Sequence, residues 1–184
     1  MPADPRVIRE TLTLTARLER EWLGRIPETD RRLTPWMPFP IPAFIALLFE
    51  ALPEAPGEKF LEIGAGVGTK MELARELAGL DVTGIEVNAE YAEEAGRRGF
   101  GVLICDAADF GHYGDYDLIW FNRVFRDPDS QAALEKVIWD EMAPGAVVMC
   151  ANLENPPPPS MFFPVLDDQE VRRGIYYKIP VQAG

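Results

Sequence analysis

The chain has 184 residues, enough to bury one substantial core, and is most simply a single domain spanning 1–184. Its 47% hydrophobic and 10% aromatic content is ordinary for a globular protein and excludes extensive disorder. Against 18 Lys and Arg stand 30 Asp and Glu, a formal charge of −12 that repels phosphate backbones and anionic membranes, so neither nucleic acid nor membrane is expected as a partner.

From the N-terminus, apolar residues at Val7, Ile8, Leu12, Leu18, Trp22, Leu23 and Ile26 among charges predict an amphipathic helix over residues 6–26. The first 35 residues carry seven arginines against six acids, so Arg25, Arg31 and Arg32 form the least repulsive surface for an anion. No basic patch leads into an apolar core at the N-terminus, and no apolar run approaches the ~18 residues of a membrane span, so a cytoplasmic location is expected. Prolines at 38, 40 and 42 forbid a regular helix in the connector that follows, and a second helix is predicted over 43–52, ended by Pro53 and Pro56. Residues 1–57 thus read as a helical cap, and Trp36, Met37, Phe39 and Phe44 as the apolar cluster that docks it onto the core, 58–184.

Beyond residue 58 strands and helices alternate, as in a parallel sheet with crossover helices. Strands are predicted at 59–63, 81–87, 101–105, 116–121 and 146–151, with helices at 69–78, 88–98 and 130–142. Two last strands, at 161–166 and 174–179, have a connection short enough for an antiparallel hairpin. The fold expected is α/β, a doubly wound, mostly parallel Rossmann-like sheet with an N-terminal helical cap and a C-terminal hairpin. Cys105 and Cys150 each fall in an apolar strand-like run and read as buried free thiols; no metal is expected.

The first strand runs into Glu62-Ile63-Gly64-Ala65-Gly66-Val67-Gly68, where alternating glycines let the backbone turn sharply and approach a ligand without a Cβ between them. The second strand ends at Glu86-Val87 and the third is followed by Asp106-Ala107. Acids at strand ends collect at the carboxyl edge of the sheet, where open α/β folds bind ligands. A carboxylate such as Glu86 accepts two hydroxyl protons in parallel, which suits an alcohol-bearing ligand. This succession, over about half the chain, resembles class I S-adenosylmethionine-dependent methyltransferases.

The resemblance implies S-adenosyl-L-methionine as cofactor and S-adenosyl-L-homocysteine as product. It places Gly64, Ala65, Gly66 and Gly68 under the methionine part, with Glu62 facing its charged groups. Glu86 with Val87 then takes the ribose, Asp106 with Ala107 borders adenine, and Asn122 ends the fourth strand beside the cofactor. A dinucleotide is the competing ligand, since Glu86 lies about 20 residues past the loop. Against it, the third glycine of a dinucleotide fingerprint would fall at Thr69, and Glu62 would repel a pyrophosphate.

For the methyl acceptor, the fourth strand is followed by Asn122-Arg123-Val124-Phe125, without the Pro-Pro-aromatic motif of amino-methylating nucleic-acid enzymes, and no Pro-Cys nucleophile occurs. With the charge, this favours a small molecule or a protein side chain. Asn122, Arg123 and Asp127 are the acceptor-side candidates, Arg123 and Arg126 as partners for a carboxylate, and His112 as a base. The N-terminal segment around Trp36–Phe44 is the candidate cover of the acceptor pocket. A binding-only protein, a nicotinamide-dependent oxidoreductase and an aminopropyl transferase remain open alternatives.

Overall fold

The computed structural model describes residues 4–23, 38–168 and 173–180. Among these residues seven strands form one sheet: β1 (Lys59–Ile63), β2 (Asp81–Glu86), β3 (Gly101–Ile104), β4 (Leu118–Asn122), β5 (Val147–Ala151), β6 (Phe162–Asp168) and β7 (Arg173–Lys178). Their order is β3-β2-β1-β4-β5-β7-β6. The first five are parallel, and β7 inserts antiparallel between β5 and β6. The chain reverses its order of strand placement between β1 and β4, which is where a parallel sheet opens a crevice at its carboxyl edge.

Among the described residues five α-helices flank the sheet: α1 (Pro5–Trp22), α2 (Ile41–Ala51), α3 (Thr69–Ala78), α4 (Ala89–Arg97) and α5 (Pro128–Glu141). Strand alternation sorts the core into two layers. Phe60, Leu118, Trp120, Val147 and Met149 face α2 and α3, while Leu61, Ile63, Ile119, Phe121, Val148 and Cys150 face α5 and the 3-10 turns at 107–115. Both faces carry helices, as expected of a doubly wound sheet.

Each α helix matches a predicted one to within a few residues. Asp4 caps α1 by accepting from the Arg6 N–H (2.8 Å), Asn88 caps α4 and Asp127 caps α5, the last with Pro128 in the first turn. Ile26 and the arginines at 25, 31 and 32 lie outside the described residues, as do Trp36 and Met37. α2 is more than a cap: Phe44, Leu47, Leu48 and Ala51 are fully or nearly buried on the sheet, and Phe44 packs edge-on against Trp120 at 5.3 Å. α1 instead lies against α3 and the glycine loop, where Leu18 and Trp22 enclose Val67 and Tyr91. Among the described residues no helix is long and apolar enough to cross a membrane.

Candidate functional site

Three turns at the carboxyl edge build one wall of a cavity of about 280 Å³, close to the lower end of the ~300–1,000 Å³ common for ligand sites. The turn after β1 carries its glycines in the left-handed region, φ 73° at Gly64, 53° at Gly66 and 76° at Gly68. Gly64 borders the cavity, and a Cβ built there meets nothing within 4 Å. Gly68 serves packing: a Cβ there would lie 3.1 Å from the Phe100 ring and 3.3 Å from the Ala95 Cβ. The wall is lined by Gly64, but Ala65, Gly66 and Gly68 are not part of the lining; they shape the turn from behind.

Glu86 is 8% exposed and ends β2. One carboxylate oxygen accepts the Gly66 N–H (2.8 Å) and the other the Asn88 N–H (2.9 Å), so the acid is locked to the glycine loop and to the start of α4. Each oxygen keeps a lone pair for a further donor. Burial pushes its pKa up, against the pull of those N–H groups. Glu62, one strand over, accepts the Met71 N–H at 3.1 Å, and burial raises it to about 8 despite the charge of Lys70 nearby. Asp106 accepts the Ala108 N–H (3.0 Å) as the cap of a 3-10 turn, with Ala107 and Cys105 beside it in the lining. Val87 and Ile85 add apolar surface.

The opposite wall comes from the ends of β4 and β5. Asn122 and Asn152 line it, with the Asn152 amide donating to the Asn122 side-chain oxygen at 2.7 Å. Asn152 holds φ 58°, an uncommon conformation for a residue with a Cβ and one that asparagine tolerates best. Trp120 and Phe39, their rings 5.0 Å apart, close the side with Pro38. The connector before α2 therefore reaches the cavity through Phe39, whereas Phe44 lies beneath Trp120 in the core.

The acceptor-side candidates differ in where the fold places them. The Arg123 guanidinium is bonded to Glu154, the Phe125 carbonyl (3.2 Å) and the Arg126 carbonyl (3.0 Å); it lines the cavity but its charge is committed to holding two loops together. Asp127 spends its carboxylate on the Ser130 N–H and hydroxyl, which hold its pKa below the usual carboxylate range. His112 is 71% exposed, faces Asp115 at 3.6 Å and is not in the cavity lining, so the structure does not bring it to the site.

Four contributors carry no local sequence signal strong enough to single them out. Lys70 and Tyr91 line the cavity, and Gln131 and Glu135 sit buried behind it on α5. The Gln131 side-chain oxygen accepts the Val124 and Phe125 N–H groups (2.9 Å each), and its amide donates to Glu135 (2.9 Å). Glu135 in turn accepts the N–H groups of Glu154 and Asn155. One helical turn thereby fixes the loops after both β4 and β5. Among the described residues no group of three or more His, Cys, Asp or Glu is placed to hold a metal.

No protein-family model matches the chain, and no curated protein matches it in sequence. Solved structures do match its fold. An RNA methyltransferase from Salinibacter ruber, solved with S-adenosyl-L-homocysteine, superposes with a TM-score of 0.61 at 16% identity, over 80% of this chain and 97% of its own. Magnesium protoporphyrin IX methyltransferase from Synechocystis PCC 6803, with its methyl donor bound, gives 0.57 at 13% identity, over 76% and 79%. An N-methyltransferase from Bradyrhizobium japonicum WM9 gives 0.54 at 15%, over 76% and 96%. The chain has the class I methyltransferase fold, as the order of its strands and its glycine turn anticipate.

Proposed function

We propose that the protein is an S-adenosylmethionine-dependent methyltransferase acting on a small molecule or a protein side chain, with residues 58–184 as core and 1–57 completing the same domain. One observation carries the reading: a buried carboxylate, Glu86, is locked to the glycine turn by the Gly66 N–H and still borders a cavity that Gly64 leaves free of side chain. The residues fit the donor's parts. Glu86 suits the two ribose hydroxyls, Asp106 and Ala107 with Val87 suit an adenine edge and face, and Glu62 suits an ammonium. When bound, the donor supplies an electrophilic methyl on a cationic sulfur.

The chain's contribution to such an in-line displacement is position, which is worth up to ~7–11 kcal/mol of barrier for well-oriented reactants. Asn122 and Asn152 would hold amide groups toward the acceptor, and Trp120 and Phe39 add apolar surface at that end. The charge of −12 supports an acceptor other than nucleic acid. The continuation of the cavity to Asn122, Asn152 and Trp120 supports turnover over mere storage of a nucleoside.

Calorimetry on protein freed of copurified ligand tests the donor. S-adenosylmethionine and S-adenosylhomocysteine bind and raise the melting temperature by mass action, while NAD does not. The absence of both heat and thermal shift with the two sulfur compounds would sink the assignment. Incubation with labelled donor and separate pools of DNA, RNA, protein and metabolites tests the acceptor; robust labelling of DNA or RNA at physiological salt overturns that half.

A further inference from the structure

The wall built from the ends of β4 and β5 brings two amides and an aromatic pair to the cavity, but no group that could take a proton. Asn122, Asn152, Trp120, Phe39 and Val124 are uncharged. Among the described residues the one cation on this wall, Arg123, is spent on Glu154 and on the Phe125 and Arg126 carbonyls. His112 and Asp127 stand outside the lining. The Asn152 amide donates to the Asn122 side-chain oxygen at 2.7 Å, and in either orientation such a pair leaves one carbonyl oxygen and one NH2 group for a ligand. Asn152 holds this place in left-handed backbone, φ 58°, a strain that a glycine would avoid.

Each class of nucleophile asks something different of such a wall. A hydroxyl or a carbon must give up a proton as it is methylated, and nothing at this end accepts one. A carboxylate or a thiolate needs a cation to replace its water, and the nearby guanidinium is already neutralised by Glu154. An amine in its free-base form brings its own lone pair. Its cationic product gains from an amide carbonyl, from the faces of Trp120 and Phe39, and from a chain of net charge −12. Resting on the methyl-transfer reading above, we infer that the acceptor is an alkyl amine, borne by a small molecule or by a lysine side chain, and that the Asn152–Asn122 amide pair receives it. The amine sheds a proton to water before transfer. Its lone pair then forms the bond to the methyl carbon, the carbon–sulfur bond breaks with its electron pair left on sulfur, and an N-methylammonium stands beside a neutral thioether.

The test incubates the full chain with methyl-labelled S-adenosylmethionine and, in separate arms, a metabolite pool and a protein pool. Label should enter a cationic product that survives strong base, as a small N-methylamine in the first arm or as methylated lysine after hydrolysis of the second. Label that base releases as methanol, or that resides in a product without a basic nitrogen, overturns the inference and leaves methyl transfer standing. Transfer to neither pool overturns methyl transfer itself. Two variants then examine Asn152, with the labelled fraction as acceptor. Asn152→Gly removes the amide and relieves the left-handed backbone, so it folds at least as well as the parent. Its turnover at limiting acceptor should fall about tenfold, the scale of a hydrogen bond to a charged group, with S-adenosylhomocysteine affinity kept within about twofold. Asn152→Asp attracts the ammonium but holds its proton, so the acceptor level for half-saturation and the saturated rate should both fall. Unchanged turnover or lost donor affinity in Asn152→Gly, or a half-saturation level that rises in Asn152→Asp, overturns the inference.

Discussion

The two walls of the cavity are held in different ways. On the donor wall, Glu62, Glu86 and Asp106 stand at or just past strand ends, and each is fixed by backbone N–H groups of the neighbouring turns. Those turns must form for the parallel strands to pair, so the acids are positioned by the same events that build the sheet. On the acceptor wall, Trp120 and Asn122 are held in the β4–β5 ladder, but the loops beyond them leave it. Gln131, Glu135 and the Arg123–Glu154 pair fix those loops largely through side chains. A few substitutions on one helix can therefore reshape the acceptor wall without disturbing the donor wall. That division fits a fold on which function is set by loops on a constant scaffold.

The largest expected effect breaks the donor wall. Glu86→Ala removes a charged acceptor for two ligand hydroxyls and should cost about 2–4 kcal/mol of S-adenosylhomocysteine affinity by calorimetry. It also strands the Gly66 and Asn88 N–H groups, so a lower melting temperature accompanies it. A folded variant that binds as tightly as the parent would show that the acid serves the turn and not the ligand.

On the acceptor wall, Glu135→Leu leaves the Glu154 and Asn155 N–H groups and the Gln131 amide without their acceptor. Urea unfolding should show a loss of about 1–3 kcal/mol. Donor affinity should stay within about twofold, because nothing on the donor wall bonds to Glu135. If donor affinity instead falls together with stability, the two walls are not independent.

A smaller effect separates the glycines within the donor turn. Gly64→Ala and Gly68→Ala both force a Cβ into the left-handed region, at about 1–2 kcal/mol each. Of the two, only Gly68 adds tight contacts, with Phe100 at 3.1 Å and Ala95 at 3.3 Å, and only Gly64 borders the cavity. Gly68→Ala should therefore lower the melting temperature more, and Gly64→Ala should weaken ligand binding more. The reverse order would reassign the two positions.

The same division explains what the sequence made legible. The strand ends, the glycine turn and the acids after it are local patterns, and these elements fall within a few residues of their expected places. Asp127 shows the limit of such reading, since a residue at the ligand edge can serve the helix it begins. Gln131 and Glu135 resemble any polar pair on an amphipathic helix until α5 is folded over two loops that lie up to 20 residues away in sequence. Lys70 likewise gains meaning only from α1, 51 residues earlier. Arg123 was visible as a charge, but its pairing with Glu154 depends on β4 and β5 being neighbours.

The most delicate measurement concerns protons at Glu62. Burial holds this carboxyl at about 8, above its ordinary value, with Lys70 and the Met71 N–H pulling the other way. At pH 7 the group is mostly protonated, and an ammonium placed against it favours the carboxylate. S-adenosylhomocysteine binding at pH 7 should therefore release up to about one proton, read from calorimetry in two buffers of different ionisation enthalpy. The release should shrink as pH rises past 8, where the carboxylate already predominates without ligand. 5′-Methylthioadenosine, which lacks the amino-acid part, should release none. The sign for stability follows from the same shift: a folded pKa raised above the unfolded one favours folding below the unfolded value, and this contribution is lost as pH rises through about 8. The free protein should thus lose thermal stability across that interval and the Glu62→Gln variant should lose less. A pH-independent proton count, or equal release by both nucleosides, would remove Glu62 from the amino-acid end of the donor wall.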